Sequence, residues 1–240
     1  MKNPLVRLIL LFAALGLAMP RSAAAFCDAP QPRLACAEYF SSPLIVEATL
    51  VRSSHEAGTA EKLDAHIYSL RVSRVLRGKP VQAVRVYEEN SSGRATFDWA
   101  RQTEYLLFLF PNRQEKGMWS LDGCGNSGPV SKAATALADI AKVKSGTSSV
   151  GMIQGVVNGP NFERQNPSSG IHVDAEGVNG LFYAVTNNKG EFQINVPAGK
   201  YVVSVNEPGL SYRPFEFSYE DPDNLQIQPG DCGQVQFVDR

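Results

Sequence analysis

Apolar and polar residues alternate most regularly in Thr186–Asn206, TNNKGEFQINVPAGKYVVSVN. Phe192, Ile194 and Val196 alternate with Glu191, Gln193 and Asn195, and Tyr201, Val203 and Val205 alternate with Val202, Ser204 and Asn206. A period of two puts each set on one face of a strand. With Pro197-Ala198-Gly199-Lys200 between them, the two runs predict a hairpin. Asn187-Asn188-Lys189-Gly190 supplies the turn leading in. The same period recurs on both sides of this stretch. Upstream, Ile153, Gly155 and Val157 predict a strand broken at Asn158-Gly159-Pro160, Ile171, Val173 and Ala175 predict another, and Phe182–Thr186 leads into the hairpin. Downstream, Gly233–Val238 predicts the last, with Val235 and Phe237 inward. About seven short strands in some 90 residues predict a sandwich.

The pattern nearer the N-terminus is different. Leu44, Val46, Ala48 and Leu50 predict a first strand. Tyr68, Leu70 and Val72 predict a longer second strand ending at Arg77-Gly78-Lys79-Pro80, and Val84 and Val86 a third. Tyr105–Phe110, YLLFLF, is apolar at every position, which predicts a strand covered on both faces. Met118–Leu121 adds a short fifth strand, and five strands separated by turns predict a small barrel. Ala133, Leu137, Ile140 and Ala141 then recur at helical spacing, with Ser131 as the expected N-cap, Lys142 and Lys144 in the last turn and Gly146 as the stop. Ser145–Ser149 reads as a linker, giving an expected organisation of 26–144, 145–149 and 150–240.

Residues 1–25 carry a different signal. Lys2 and Arg7 precede the apolar run Leu8–Met19, and Ala23-Ala24-Ala25 follows it. These are the parts of a secretory signal peptide cut after Ala25. The run is shorter than the roughly 20 residues a membrane span needs, and the bulky Phe26 before Cys27 argues against a lipid-modified cysteine. Cleavage leaves 215 of the 240 residues and removes Lys2, Arg7 and Arg21 from the 23 basic residues, so 20 face 24 acidic ones. A mildly acidic exported chain has no electrostatic reason to bind nucleic acid or anionic lipid. The four cysteines, Cys27, Cys36, Cys124 and Cys232, all lie in the exported part, where an even count predicts disulfides. A metal would need clustered ligands, and no C-x-x-C and no adjacent histidine is present.

Two resemblances can be stated on these residues. Cys27, Cys36, LIVEATLV, YSLRVSRVLRGKP, EYLLFLF and DGCG resemble the netrin-like, or tissue-inhibitor-of-metalloproteinases-like, domain of secreted bacterial proteins, over roughly 110 residues. The resemblance implies a five-stranded OB-type barrel whose N-terminal cysteine region is tied to later strands. Ala29 stands where a second early cysteine is common, and no cysteine lies between Cys36 and Cys124; together these departures match the loss of one bridge. In the animal inhibitors the amine and carbonyl of an N-terminal cysteine bind the target's zinc. A chain starting at Phe26 displaces that amine by one residue, so this mechanism is not expected. The resemblance implies Cys27 or Cys36 joined to Cys124, with Cys232 bonded to the remaining cysteine across the two bodies or left free. The second likeness is to the carboxypeptidase regulatory-like domain, a transthyretin-like sandwich. IQGVV, IHVDAEG, YAVTNNKGEFQINVPAGKYVVSV and DCGQVQFV carry it.

Candidate chemistry changes this picture little. Gly123-Cys124-Gly125-Asn126-Ser127-Gly128 fits G-x-G-x-x-G, but no parallel strand follows to complete a βαβ phosphate site. Its Ser127 resembles a protease nucleophile in a GNSG loop, without a matching histidine pattern. His55, His66 and His172 are far apart in sequence and show no ligand spacing. Glu216, Glu220, Asp221 and Asp223 read as a solvated acidic face, lacking a calcium loop's spacing. Tyr212, Phe215, Phe217 and Tyr219 are read either as a cover for the sandwich's open end or as a binding patch. No catalytic, cofactor-binding or metal residue is assigned, and no cofactor is expected. The expectation is a mostly β protein, an OB-type barrel with one C-terminal helix followed by an antiparallel transthyretin-like sandwich. It is read as a non-catalytic binding or scaffold protein with an exported protein or glycan partner, carrying no transmembrane anchor after cleavage. The alternative is an inhibitor or regulator of an exported protease.

Overall fold

The computed structural model describes residues 32–91, 94–146, 149–159, 168–207, 211–215 and 218–239. The expected signal peptide and Cys27 lie outside these residues. So do Glu216, Phe217 and two residues of the expected linker, 147 and 148. The chain is mostly β, with two α-helices among the described residues.

The barrel is made by β1 (Leu44–Glu56), β2 (Ala65–Arg77), β3 (Ala83–Glu89), β4 (Glu104–Pro111) and β5 (Trp119–Ser120). They close in the ring β1-β2-β3-β5-β4, with β4 returning to β1. All neighbours run antiparallel except β3 and β5. The two-residue β6 (Gly128–Pro129) adds to β4 at Tyr105 and Leu106. Closure needs bent strands, and β1 has three register shifts against β2, each a point where a strand can turn around the barrel. Val46, Ala48, Leu50, Leu70, Val86 and Leu107 fill the interior. Tyr68 stacks on Trp99 at 4.3 Å and Trp99 meets Tyr105 at 4.8 Å, placing aromatic rings beside that core.

The all-apolar β4 is explained by its two covers. Its Leu107 and Leu109 face the barrel core, while Leu106 and Phe108 face outward under two helices. These are α1 (Ala35–Ser41) and α2 (Ala134–Lys144), which contribute Ala35, Ala136 and Ile140 to a second apolar cluster. One helix was expected here. α1 has seven residues, no side-chain N-cap and too few turns to show a period. The expected cap of α2 is also corrected. Ser131 lies in a 3-10 turn, Val130–Lys132, and Ala133 takes the cap position without a side-chain bond. Ala141 is exposed, and Ala136 takes the buried place on the helix. Gly146, at φ +60°, ends the helix as expected.

Two four-stranded sheets form the sandwich. One, in the order β10-β7-β14-β12, contains β10 (Glu191–Pro197), β7 (Val150–Asn158), β14 (Cys232–Asp239) and β12 (Tyr212–Pro214). The other, β13-β11-β8-β9, contains β13 (Leu225–Ile227), β11 (Gly199–Val205), β8 (His172–Gly177) and β9 (Gly180–Val185). The first and last strands of the sandwich, β7 and β14, lie side by side and parallel, from Met152 opposite Cys232 to Asn158 opposite Val238. All other pairs are antiparallel.

The predicted hairpin at Pro197–Lys200 is an arch between sheets. β10 pairs with β7, whereas β11 pairs with β8 and β13. Phe192, Ile194, Val196, Tyr201 and Val203 all enter one core, as the alternation required. Alternation fixes which face is buried, and both a hairpin and an arch satisfy it. Ala198 is the single residue between the strands, and the Tyr201 hydroxyl donates to the Pro197 carbonyl at 2.7 Å across the corner.

Candidate functional site at the seam between barrel and sandwich

Cys232, Gln234 and Gln236 stand on one face of β14 because strand side chains repeat every second residue. All three are buried. Cys232 is bonded to Cys36 on α1, 196 residues away in sequence. Gln234 reads the chain just before α1 with both ends of its amide. Its Nε2 donates to the Pro32 carbonyl at 2.8 Å, and its Oε1 accepts from Leu34 N at 2.9 Å. This is the cross-body pairing among those the resemblance left open, and Cys232 is not free. Cys124 is disulfide-bonded as well.

Two residues along α1 from Cys36, Glu38 is fully buried. Its Oε2 accepts from the backbone N of Asn126 at 2.6 Å and from Asn126 Nδ2 at 2.8 Å. Arg33 completes the network. Its guanidinium bonds Asp122 at 2.5 Å and Ser41 at 2.7 Å, and lies 5.4 Å from the Tyr219 ring centre and 5.7 Å from that of Phe110. Asp122 in turn accepts from Cys124 N at 2.9 Å. The G-x-G-x-x-G segment therefore receives the protein's own Glu38 side chain. Ser127 is engaged as an acceptor, taking the Phe108 amide at 2.9 Å.

Burial raises the carboxyls along this seam. Glu38 is pushed up to about 7 by desolvation, against the lowering effects of Arg33 and Asn126. Glu220, which accepts from Gln234 N at 2.5 Å, is also pushed up to about 7 by burial. Asp231, beside Cys232, is raised to about 6 for the same reason. Desolvation likewise lifts the Tyr219 hydroxyl to about 12.

Gly125 is what lets α1 approach the cradle. A Cβ there would stand 2.2 Å from Glu38 Oε1. Gly125→Ala is therefore expected to lower stability by roughly 1–3 kcal/mol through overpacking, read from urea denaturation, whereas Gly128→Ala, with nothing within 4 Å of its added methyl, serves as the control.

The sequence-predicted groups fall in several places. Phe215 is buried, Tyr212 packs half-buried against the sandwich core and Tyr219 lies under Arg33, so these aromatics face inward or into the seam. Glu220 also turns into the seam, a correction to the solvated acidic face. Asp221 caps a 3-10 turn by accepting from Asp223 N at 2.9 Å. His55 and His66, read as far apart, are directly opposite on β1 and β2, with ring centres 5.2 Å apart. The register of that hairpin would have revealed them; their spacing of eleven positions does not. His172 is on β8 and stacks on Tyr183. Among the described residues no three His, Cys, Asp or Glu side chains form a metal-binding group. Two open clefts flank these elements. One of about 500 Å³ runs along the seam between α2 and Gly230–Cys232, and one of about 330 Å³ lies over β3 and β4 beside Glu88 and Arg113.

No protein-family model matches the sequence, and no curated protein matches it significantly. Among solved structures, the Bacillus anthracis TIE protein aligns with 81% of this chain and 31% of its own length, at 11% identity and a TM-score of 0.28. The chain thus spans about a third of that protein. A TM-score this low carries no argument about shared structure or activity. No helix among the described residues is long and apolar enough to cross a membrane.

Proposed function

We propose that this is an exported, non-catalytic binding or scaffold protein, with a netrin-like barrel and a carboxypeptidase regulatory-like sandwich held together for presentation to a protein or glycan partner. The observation that carries this reading is the seam. A disulfide and a bidentate glutamine join the two β bodies, and Arg33, held by Asp122, lies over the Tyr219 ring of the second. The ring order β1-β2-β3-β5-β4 supports the OB-type reading of the first body, and the paired four-stranded sheets support the sandwich reading of the second. Oxidised cysteines favour an oxidising compartment, in line with the signal-like residues 1–25. The perturbed carboxyls Glu38, Glu220 and Asp231 are engaged with backbone amides of the protein itself.

Three measurements test the proposal. Mass analysis of the exported protein is expected to give a chain beginning at Phe26. Titration against a panel of extracellular proteases is expected to leave every rate unchanged, while affinity capture from an envelope extract retains a partner only when the Cys36–Cys232 bond is intact. Stoichiometric inhibition of one protease would overturn the scaffold reading in favour of a regulator.

A further inference from the structure

The sandwich has four edge strands, and three of them are blunted. β12 has three residues and includes Arg213 and Pro214, β13 has three residues, and β10 ends in Pro197 and carries Glu191. β9, Gly180–Val185, is different. Its sequence, GLFYAV, has six residues with no charge and no proline, and its register with β8 is regular from end to end. Soluble proteins commonly guard such an edge with charge, proline, a bulge or a covering segment, because its unpaired backbone groups invite another strand. Here no strand among the described residues pairs with the edge, and its outward side chains are apolar as well. Leu181 is 61% exposed, Tyr183 65% and Val185 51%, and Val178 and Val202 add to the same apolar region.

The backbone pattern of β9 is equally specific. Gly177 and Gly180 close a two-residue hairpin with β8, and beyond them the pairs alternate between bonded and non-bonded. Phe182 and Ala184 thus spend their N–H and C=O groups on β8. At the far end of the ladder, Thr186 N donates to the Ile171 carbonyl at 2.9 Å, which fixes the same phase. Leu181, Tyr183 and Val185 therefore direct their backbone groups at the open edge, and they bond no described residue there.

We infer that β9 is a self-association edge, at which two copies of this chain pair antiparallel about a twofold axis at Tyr183. The strand is its own complement in that register. Tyr183 meets Tyr183 of the second copy, Leu181 meets Val185 and Val185 meets Leu181, so each open N–H and C=O gains a partner. Apolar side chains adjoin across the axis, and no like charges oppose each other, since β9 carries none. The four-stranded sheet becomes an eight-stranded one. This inference goes beyond the scaffold proposal and does not rest on it.

The test is sedimentation velocity of the mature protein over a concentration series, with hydrogen exchange at the two ends of the series. The expected result is a dimer at high concentration, with the amides of Leu181, Tyr183 and Val185 slowed on dimerisation while those of Phe182 and Ala184 are protected throughout. Tyr183→Lys places two ammonium groups across the axis and is expected to weaken self-association by at least about tenfold. Val185→Lys, at another exposed position, is the second variant should the first fail to fold. A monomer at every concentration overturns the inference and leaves the edge to a strand from another protein. A dimer that survives both substitutions, or exchange protection away from β9, overturns it too.

Discussion

Replacing Cys36 and Cys232 together by serine is expected to lower stability by roughly 5 kcal/mol on the chain-entropy account of a very long closed loop, since the bond spans 196 residues. It is also expected to split one urea transition into two. Each β body has its own apolar core: one contains Ile153, Tyr201 and Val235, the other Val46, Leu70 and Leu107. What joins them is narrow, running from Pro32 to Glu38 on one side and along β14 on the other. Without the bond, Gln234 must hold the seam through two hydrogen bonds, each contributing about 1 kcal/mol net. The double variant avoids leaving one buried thiol free to attack Cys124's bridge. A single transition at the original midpoint would show that the Cys36–Cys232 bond is not what couples the two bodies.

The second large effect is on pH. Glu38 is raised from the usual 4.5 to about 7 by burial. Its folded form holds its proton through a range in which the unfolded chain has released it. Stability from this group is therefore fully present below about pH 4.5, declines as pH rises, and is lost once pH passes about 7. A shift of that size corresponds to roughly 3 kcal/mol. Glu220 and Asp231, raised by the same cause, act in the same direction. The groups facing Glu38 are Arg33 and Asn126, which lower its pKa, and Asp122, which raises it. Unfolding free energy measured by urea is expected to fall from pH 4.5 to pH 7.5 in the native protein and to fall less in Glu38→Gln. A rise over that range would contradict the burial account.

Much of the fold was legible because burial is written in the period of apolar residues. All five barrel strands, the twofold cover of Leu106 and Leu107, and the inward faces of β10 and β11 could be read directly. What alternation does not contain is the identity of a strand's neighbour. The run from Phe192 to Val205 fits a hairpin and an arch equally, and only pairing with β7 and β8 separates them. α1 escaped because its seven residues are held by tertiary contacts, a disulfide at Cys36 and a buried carboxylate at Glu38, and not by propensity or caps. The seam was half visible. The cysteines announced it, and the glycine-rich segment was recognisable as something other than a βαβ phosphate site. That Glu38 occupies the turn could not be seen, because 88 residues separate Glu38 from Asn126. The outward residues of β9 lie in a segment read only as the approach to the hairpin, so their exposure had no sequence signal beyond the lack of charge.

The claim on which the rest depends is that an oxidised seam at Cys36 and Cys232 joins barrel to sandwich. Proteolysis of the purified protein under non-reducing conditions, followed by mass analysis, tests it most directly. The account predicts one peptide pair joining the α1 segment with Cys36 to the β14 segment with Cys232. Recovery of Cys36 linked to Cys124, with Cys232 as a free thiol, would contradict it.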